Sequence, residues 1–316
     1  MTIYFVSSAG GHMTQLLSLA RKVKLDDAEF ISYKNPITTD LNKEFKVNFI
    51  LNPERSLVRF IFCFFQTLLI FVSKPPDKII TNGAGVCIPA FFISKFFKCK
   101  TIFIESFSRI NNPSLFGRLV HNFADEVFFQ WRPLKKYYSR GNFVGSIVSS
   151  NEKKSNDFII DILIILGSGP AFPRPLKSLD NFLKNSNKKL RIIAQTGELN
   201  YKSEYFKSYN YIPRLLYNNL IDKSRLVITP DGAGNILTIM SFGKKAIIIP
   251  RQKELKEIKI SNTDLSSEIE KLGLYPVLFN LDSLPETIDN ALMASSPKID
   301  ILYNSNLKCL LESIRS

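Results

Sequence analysis

The residues able to do chemistry gather at a few glycine turns. SSAGGHMTQLL (7–17) follows the apolar run Ile3–Val6 and opens a helical pattern. Gly10 and Gly11 let the backbone turn sharply and let a ligand approach it closely. The helix N-terminus behind them carries partial positive charge and free N–H groups, a seat for phosphate. His12 stands at that seat, able to take or give a proton near neutral pH. TNGAGVCIPAFFISK (81–95) forms a second such turn, with Asn82 and Gly83 between strand and helix. FIESFSRINNPSLFGRL (103–119) sets Glu105, Arg109 and Asn111 just beyond another strand end. GSGPAFPRPL puts Gly167, Ser168 and Gly169 after the run DILIIL. ITPDGAGNILTIMSFGKKAIIIPR (228–251) places Asp231, Gly232, Ala233, Gly234 and Asn235 at a helix start. That turn can hold a diphosphate through backbone N–H groups, without a metal.

Short apolar runs alternating with helical stretches must position these turns. In the first half the runs are 3–6, 29–34, 46–51, 78–81, 100–105 and 126–131, with helices from 14, at 56–72, from about 89 and near 114–122. The second half repeats the rhythm with 161–166, 190–197, 225–230 and 245–251, and closes on a helical segment at 300–314. This alternation predicts two open α/β domains with parallel sheets. The polar stretch SSNEKKSND (149–157) reads as the linker, so the expected domains are 1–148 and 158–316. Ligands bind such sheets at the carboxyl ends of their strands, and the cleft between the domains is the default site.

The 316 residues suffice for two cores, and the net charge of +14 points to a polyanionic partner. Residues 1–150 hold 19 Lys and Arg against 10 Asp and Glu, and the rest 23 against 18, so the excess lies mainly in the first half. No nucleic-acid module is present. Neither SAGGHMTQ nor GSGPAFPR fits the GxGxxG dinucleotide fingerprint. There is no DxD signature or ligand cluster, so no metal and no cofactor is expected. Cys63, Cys87, Cys99 and Cys309 lie far apart in apolar contexts and read as buried thiols of a reducing cytoplasm. The N-terminal strand does not read as a secretion signal. Leu57–Val72, LVRFIFCFFQTLLIFV, is short for a membrane span. Two readings stay open: a buried amphipathic helix, or one lying on a membrane with Arg55, Arg59 and Lys74 at anionic headgroups. AFFISKFFKCK (90–100) is a second apolar and basic segment.

The motifs resemble a known family. SSAGGHMTQLL, KPPDKIITNGAGVCIPAFFISKFFKCKTIFIESFSR and NFADEVFFQW are similar to the acceptor subunit of two-subunit bacterial capsule and exopolysaccharide glycosyltransferases, and of the related dolichol-pathway UDP-GlcNAc transferase. IILGSGPAFPRPL, IIAQTG and ITPDGAGNILTIMSFGKKAIIIPR resemble the donor subunit, here joined to the first in one chain. More distantly both halves are similar to the peptidoglycan transferase that adds GlcNAc to lipid I. The resemblance implies a GT-B fold of the family 28 type, with two Rossmann-like domains facing across a cleft. It implies inverting transfer of a hexose-type sugar from a UDP-sugar to a polyprenyl-diphosphate-linked saccharide. The enzyme would sit peripherally on the cytoplasmic membrane face.

Inverting transfer needs a base for the acceptor hydroxyl and stabilisation of the departing diphosphate. His12 and Glu105 are both candidates for the base. Gly10, Gly11, Asn82, Gly83, Arg109 and Asn111 would hold the acceptor. Gly167, Ser168, Gly169, Gln195, Thr196, Gly197, Asp231, Gly232, Ala233, Gly234, Asn235, Thr238 and Arg251 would hold the donor. The donor half departs from its family's pattern. Pro230 and Asp231 stand where relatives carry His, and Thr238 where they carry a ribose-binding Glu. The loop that usually contacts the donor sugar reads KELKEIKISNTDL, with Asn262, Thr263 and Asp264 as stand-ins. These departures allow a rival reading, a non-catalytic membrane-bound partner of a polysaccharide assembly complex.

Overall fold

The structure is a computed structural model describing all residues except 26, 55, 149–156, 168–170, 187, 259–262 and 303–305. The chain divides into two compact units, Met1–Val148 with Leu302–Ser316, and Ser149–Ile301.

The first unit is built on a parallel sheet of seven strands. They are β1 (Ile3–Val6), β2 (Ala28–Tyr33), β3 (Lys46–Ile50), β4 (Lys78–Thr81), β5 (Lys100–Ile104), β6 (Glu126–Phe129) and β7 (Asn142–Phe143). Their order is β3-β2-β1-β4-β5-β6-β7, so the chain reverses direction across the sheet between β1 and β4. The registers Val6↔Thr81 and Thr81↔Phe103 put the ends of β1, β4 and β5 side by side. Those are the ends that carry the Gly-Gly-His turn, the Asn-Gly turn and Glu105. β1 is buried along its whole length, as a central strand covered on both faces must be.

The second unit has five parallel strands, β8 (Ile160–Ile165), β9 (Ile192–Gln195), β10 (Lys207–Tyr209), β11 (Ser224–Thr229) and β12 (Lys245–Ile248). Their order, β10-β9-β8-β11-β12, places the switch between β8 and β11. Its core gathers Ile162, Ile164, Phe172, Leu176, Leu226 and Ile247.

The two parallel sheets and their helices follow the alternation in the sequence. β10 lies in the Tyr-rich stretch that has no apolar alternation, because a three-residue edge strand needs only β9 beside it. The short helix Pro36–Leu41 also escapes periodicity. An Asn35–Thr38 capping box and a proline in its first turn define it. The last segment corrects the expected boundary. In place of one helix at 300–314 there is a 3-10 turn, Ile299–Leu302, and a helix, Leu307–Arg315, that belongs to the first unit. Leu310 and Ile314 are fully buried there, and the helix packs on Gly11–Val23. The Lys78 ammonium donates to the carbonyls of Ser313 (3.1 Å) and Ile314 (3.0 Å), placing positive charge at the helix C-terminus. The expected linker, 149–157, lies outside the described residues up to 156.

The helix Leu57–Ser73 starts at Ser56, whose hydroxyl caps the Arg59 N–H, and buries only Cys63, Thr67 and Phe71. This single stripe at four-residue spacing faces the unit. Leu57 (75% exposed), Phe65 (56%) and Leu69 (69%) face outward, so the buried-helix reading does not hold. In the second apolar segment Ala90, Phe91 and Ile93 are core, while Phe96 is 85% exposed. Among the described residues no helix is long and apolar enough to cross a membrane. All four cysteines are free, and Cys309 is exposed rather than buried because it lies on the outer face of the last helix. Burial raises the Cys87 and Cys99 thiols to about 12.

Leu310→Ala should cost the first unit about 2–5 kcal/mol, the usual loss for a fully buried leucine. Urea unfolding followed by circular dichroism would show it, with exposed Lys308→Ala as the control expected to change nothing.

Candidate active site

At the end of β1 the backbone turns through Gly10, whose φ of +90° belongs to glycine. No side chain caps the helix that begins at Gly11. Its first N–H groups are left for a ligand. Across the switch point Gly83 also has positive φ (+97°), and a Cβ there would touch the Phe116 ring carbon at 3.5 Å. His12 and Asn82 link the two turns in both directions. The His12 Nδ1–H donates to the Asn82 carbonyl at 3.1 Å, and the Asn82 side-chain amide donates to the His12 carbonyl at 2.8 Å. A carbonyl can only accept, so Nδ1 holds the proton and Nε2 keeps its lone pair. Burial, opposed by the Asn82 hydrogen bonds and aided by the charge of Arg109, lowers the His12 pKa below the ordinary 6.5. His12 is therefore neutral at neutral pH, with a base nitrogen free.

Glu105 is placed differently. It is fully buried. One carboxylate oxygen accepts the Ser106 N–H at 2.8 Å. The other accepts the Ser114 N–H (2.9 Å), the Ser114 hydroxyl (3.1 Å) and the Tyr138 hydroxyl (2.5 Å). Four donors and full burial set it out of reach of an acceptor hydroxyl. The structure thus corrects its assignment as a candidate base: Glu105 folds the 105–114 loop back onto itself. Gly117 accommodates this knot, since a Cβ there would stand 2.5 Å from the Glu105 carboxylate.

Gln15, which sequence reading passed over, is the brace between the Gly-Gly-His helix and the segment that follows β5. Its side-chain amide donates to the Gly11 carbonyl (3.1 Å) and the Ser106 hydroxyl (3.4 Å). Its carbonyl accepts the Phe107 N–H (2.9 Å) and the Gln130 amide (2.8 Å). Gln130 reaches on to the Glu105 carbonyl at 2.9 Å. A glutamine one turn into an apolar helix face was the available signal. Asn82, expected to bind acceptor, is fully buried and holds His12 instead. Arg109 lies close enough for its charge to act on His12, whereas Asn111 is exposed on the loop without a described contact to the turn.

In the second unit the helix Ala233–Ser241 begins at exposed Gly232, again without a side-chain cap. The N–H groups of Ala233 and Gly234 stand open at its start. Asn235 is a strut. Its amide donates to the Thr229 hydroxyl (2.9 Å) and the Ile165 carbonyl (3.3 Å), and it accepts the Tyr217 hydroxyl (3.1 Å). Those bonds tie the ends of β8 and β11 together beside Gly167, whose φ is +73°. Ser168 and Gly169 lie outside the described residues. Thr238 turns its hydroxyl back to the Gly234 carbonyl at 2.8 Å. Gln195 accepts the Ile212 N–H (3.2 Å) and the Thr196 hydroxyl donates to the Leu199 carbonyl (2.7 Å). These bonds hold the segments that follow β9 and β10. Arg251 donates to the Leu166 carbonyl at 2.9 Å and lies over the Phe172 ring at 4.9 Å. Burial raises the Asp231 carboxyl above its usual range, against the Arg251 N–H and charge and the Ser266 hydroxyl. The loop after β12 is pinned by Arg174, whose guanidinium grips Glu257 at 2.7 and 3.0 Å, a pair the sequence did not single out. Of the stand-ins there, Thr263 precedes and Asp264 opens the next helix, and Asn262 lies outside the described residues. Among the described residues no group of His, Cys, Asp and Glu could hold a metal.

Residues 51–147 match the family model of oligosaccharide biosynthesis protein Alg14 like, and residues 162–308 that of the glycosyltransferase family 28 C-terminal domain. The chain is a glycosyltransferase, Alg14-like over 51–147 and family 28-like over 162–308. Its Alg14-like half contains Asn82, Glu105 and Gln130, and its family 28 half contains the Asp231–Asn235 turn. The transferase is 24% identical to the UDP-N-acetylglucosamine--N-acetylmuramyl-(pentapeptide) pyrophosphoryl-undecaprenol N-acetylglucosamine transferase of Prochlorococcus marinus, over 96% of this chain and 91% of the relative. It is 33% identical to the UDP-N-acetylglucosamine transferase subunit ALG14 of Candida albicans, over 28% of this chain and 43% of that one. The fold is GT-B, as in the crystal structure of Acinetobacter baumannii MurG (TM-score 0.59, 14% identity, covering 100% and 99% of the chains). The MnaA–UDP structure from S. aureus shares the fold (TM-score 0.69, 13% identity, 100% and 95%).

Glu105→Gln places an NH2 against the Ser114 donors. It should cost about 1–3 kcal/mol of stability, while turnover at low temperature falls far less than the 10²–10⁴-fold a lost general base costs. Thermal melting paired with initial rates would separate the two effects.

Proposed function

We propose that the enzyme transfers a hexose-type sugar from a UDP-sugar to a saccharide carried on a polyprenyl diphosphate, with inversion. The observation that carries this is the neutral His12 with a free Nε2 at an uncapped, glycine-rich helix start. Nε2 takes the acceptor hydroxyl proton while that oxygen attacks the anomeric carbon, and the bond from that carbon to the UDP oxygen breaks. The departing diphosphate is stabilised by N–H groups at the Gly232–Gly234 helix start, aided by its dipole. The printed names of the relatives, which join UDP-N-acetylglucosamine to a pyrophosphoryl-undecaprenol acceptor, support this donor and acceptor class.

The apolar outer face of Leu57–Ser73, with Phe96 beside it, supports peripheral seating on the cytoplasmic membrane face where such an acceptor lies. The product belongs to a surface glycan of capsule or exopolysaccharide type. The diphosphate seat is made of backbone, so replacement of the family's His and Glu by Asp231 and Thr238 leaves it standing.

Calorimetric titration with UDP, with ADP and GDP as controls, tests the donor half directly. Selective UDP binding is expected, and no binding would leave the non-catalytic partner reading. His12→Gln should bind UDP as the parent does and lose about 10²–10⁴-fold in turnover. The pH profile of kcat/KM carries the sign. Protonated His12 has no lone pair, so the rate should climb with pH through a midpoint below the ordinary 6.5 and stay level across neutrality. A midpoint above that value would overturn the assignment.

A further inference from the structure

In the first unit, away from His12, Pro113, Arg118, His121, Tyr137 and Tyr138 line a cavity of about 430 Å³. Tyr138 forms its rear wall, held by the bond from its hydroxyl to Glu105, and the His121 ring packs edge-on against it with centroids 5.7 Å apart. No described side chain pairs with the Arg118 guanidinium or hydrogen-bonds the His121 ring. The Tyr137 hydroxyl is spent on Asn112 at 3.1 Å, and its ring carries the Lys136 ammonium at 5.0 Å. The surrounding chain is one-sided in charge. From 106 to 148 the cations are Arg109, Arg118, Arg132, Lys135, Lys136 and Arg140, and the acids are Asp125 and Glu126 alone. Those two acids are already engaged, Asp125 with Lys95 at 3.0 Å and Glu126 with Lys100 at 2.6 Å. A cavity offering an unpaired guanidinium and an imidazole, with no acid on its wall, suits a phosphate group.

The rim shows what carries that phosphate. Leu115 (83% exposed), Leu119 (44%) and Phe123 (59%) stand beside Arg118 with their apolar surface outward. Phe123 meets the Phe92 ring at 6.3 Å, on the helix that packs against Leu57–Ser73. The cavity thus lies at the border of the apolar face described above. We infer that it is a headgroup site: Arg118 and His121 take the phosphate of an anionic membrane lipid while Leu115, Leu119 and Phe123 enter the acyl region. The inference rests on the membrane-seating reading and adds to it a defined polar contact, separate from the place of the acceptor diphosphate.

Sedimentation with vesicles of pure phosphatidylcholine, and of phosphatidylcholine with one-third phosphatidylglycerol, tests it on the full chain. The parent protein should bind the mixed vesicles more tightly. The double variant Arg118→Ala with His121→Ala should lose about fivefold on the mixed vesicles, the contribution of one arginine near an anionic surface, and nothing on the neutral ones. Arg118→Lys should keep most of the preference. Phe65→Asp with Leu69→Asp should weaken binding to both vesicle types, which reads the apolar face independently. A double variant that binds mixed vesicles like the parent overturns the headgroup site and leaves membrane seating intact. A parent protein that binds neither vesicle overturns both. Release of the parent by millimolar inorganic phosphate at constant ionic strength would assign the cavity to a free phosphate and overturn the lipid assignment. Both substituted positions are accessible, and unchanged melting temperatures would confirm that the variants are folded.

Discussion

A carbonyl oxygen accepts hydrogen bonds and never donates one, and that constraint decides what His12 can do. Because Nδ1 faces the Asn82 carbonyl, the imidazole is held in the tautomer that leaves Nε2 basic. The contact exists because β1 and β4 are neighbours in register, so the turns leaving them meet across the switch point. Gly10 and Gly83, both at positive φ, let the two backbones come close enough for the reciprocal bond. Burial then holds the ring neutral. Sheet order, glycine geometry and desolvation all act through one 3.1 Å contact.

Around that contact the polar side chains brace the fold and the helix-start backbone stays uncapped. Glu105, Gln15 and Gln130 are buried and bonded to their neighbours, as buried polar groups must be to avoid a desolvation cost. The second unit follows the same division with different residues. Asn235 ties two strand ends, Arg251 and Arg174 fasten loops, and Gln195 and Thr196 close a turn. What remains free at each switch point is a helix N-terminus without a side-chain cap, the feature suited to phosphate.

The first unit also exposes more apolar surface than folding alone explains. The helix Leu57–Ser73 turns one narrow stripe inward, and Leu57, Phe65 and Leu69 outward. An apolar face of this kind, with the Arg118 guanidinium at its border, joins hydrophobic burial to attraction for anionic headgroups, two forces that reinforce each other at a membrane surface. It lies on the unit that carries His12.

The sequence by itself determined the two parallel α/β sheets, because hydrophobic alternation and glycine position are local properties that each segment carries with it. It also singled out the Gly-Gly-His turn and the Gly-Ala-Gly helix start, since a strand running through glycine into a helix is legible one residue at a time. The C-terminal helix read correctly as a helix, but its membership in the first unit depends on Leu310 and Ile314 finding a partner surface some 290 residues back. Tertiary structure alone decided which polar residues face a ligand. Glu105 and Asn235 look like site residues by type and place, yet each is consumed by hydrogen bonds to neighbours distant in sequence, and Asn82 and Gln195 each spend one end of the side-chain amide in the same way. Gln15 looks incidental, yet it joins the Gly-Gly-His helix to the segment after β5. Whether a donor or acceptor is spent inside the protein or left for substrate depends on who stands opposite it, and a one-dimensional pattern does not contain that neighbour.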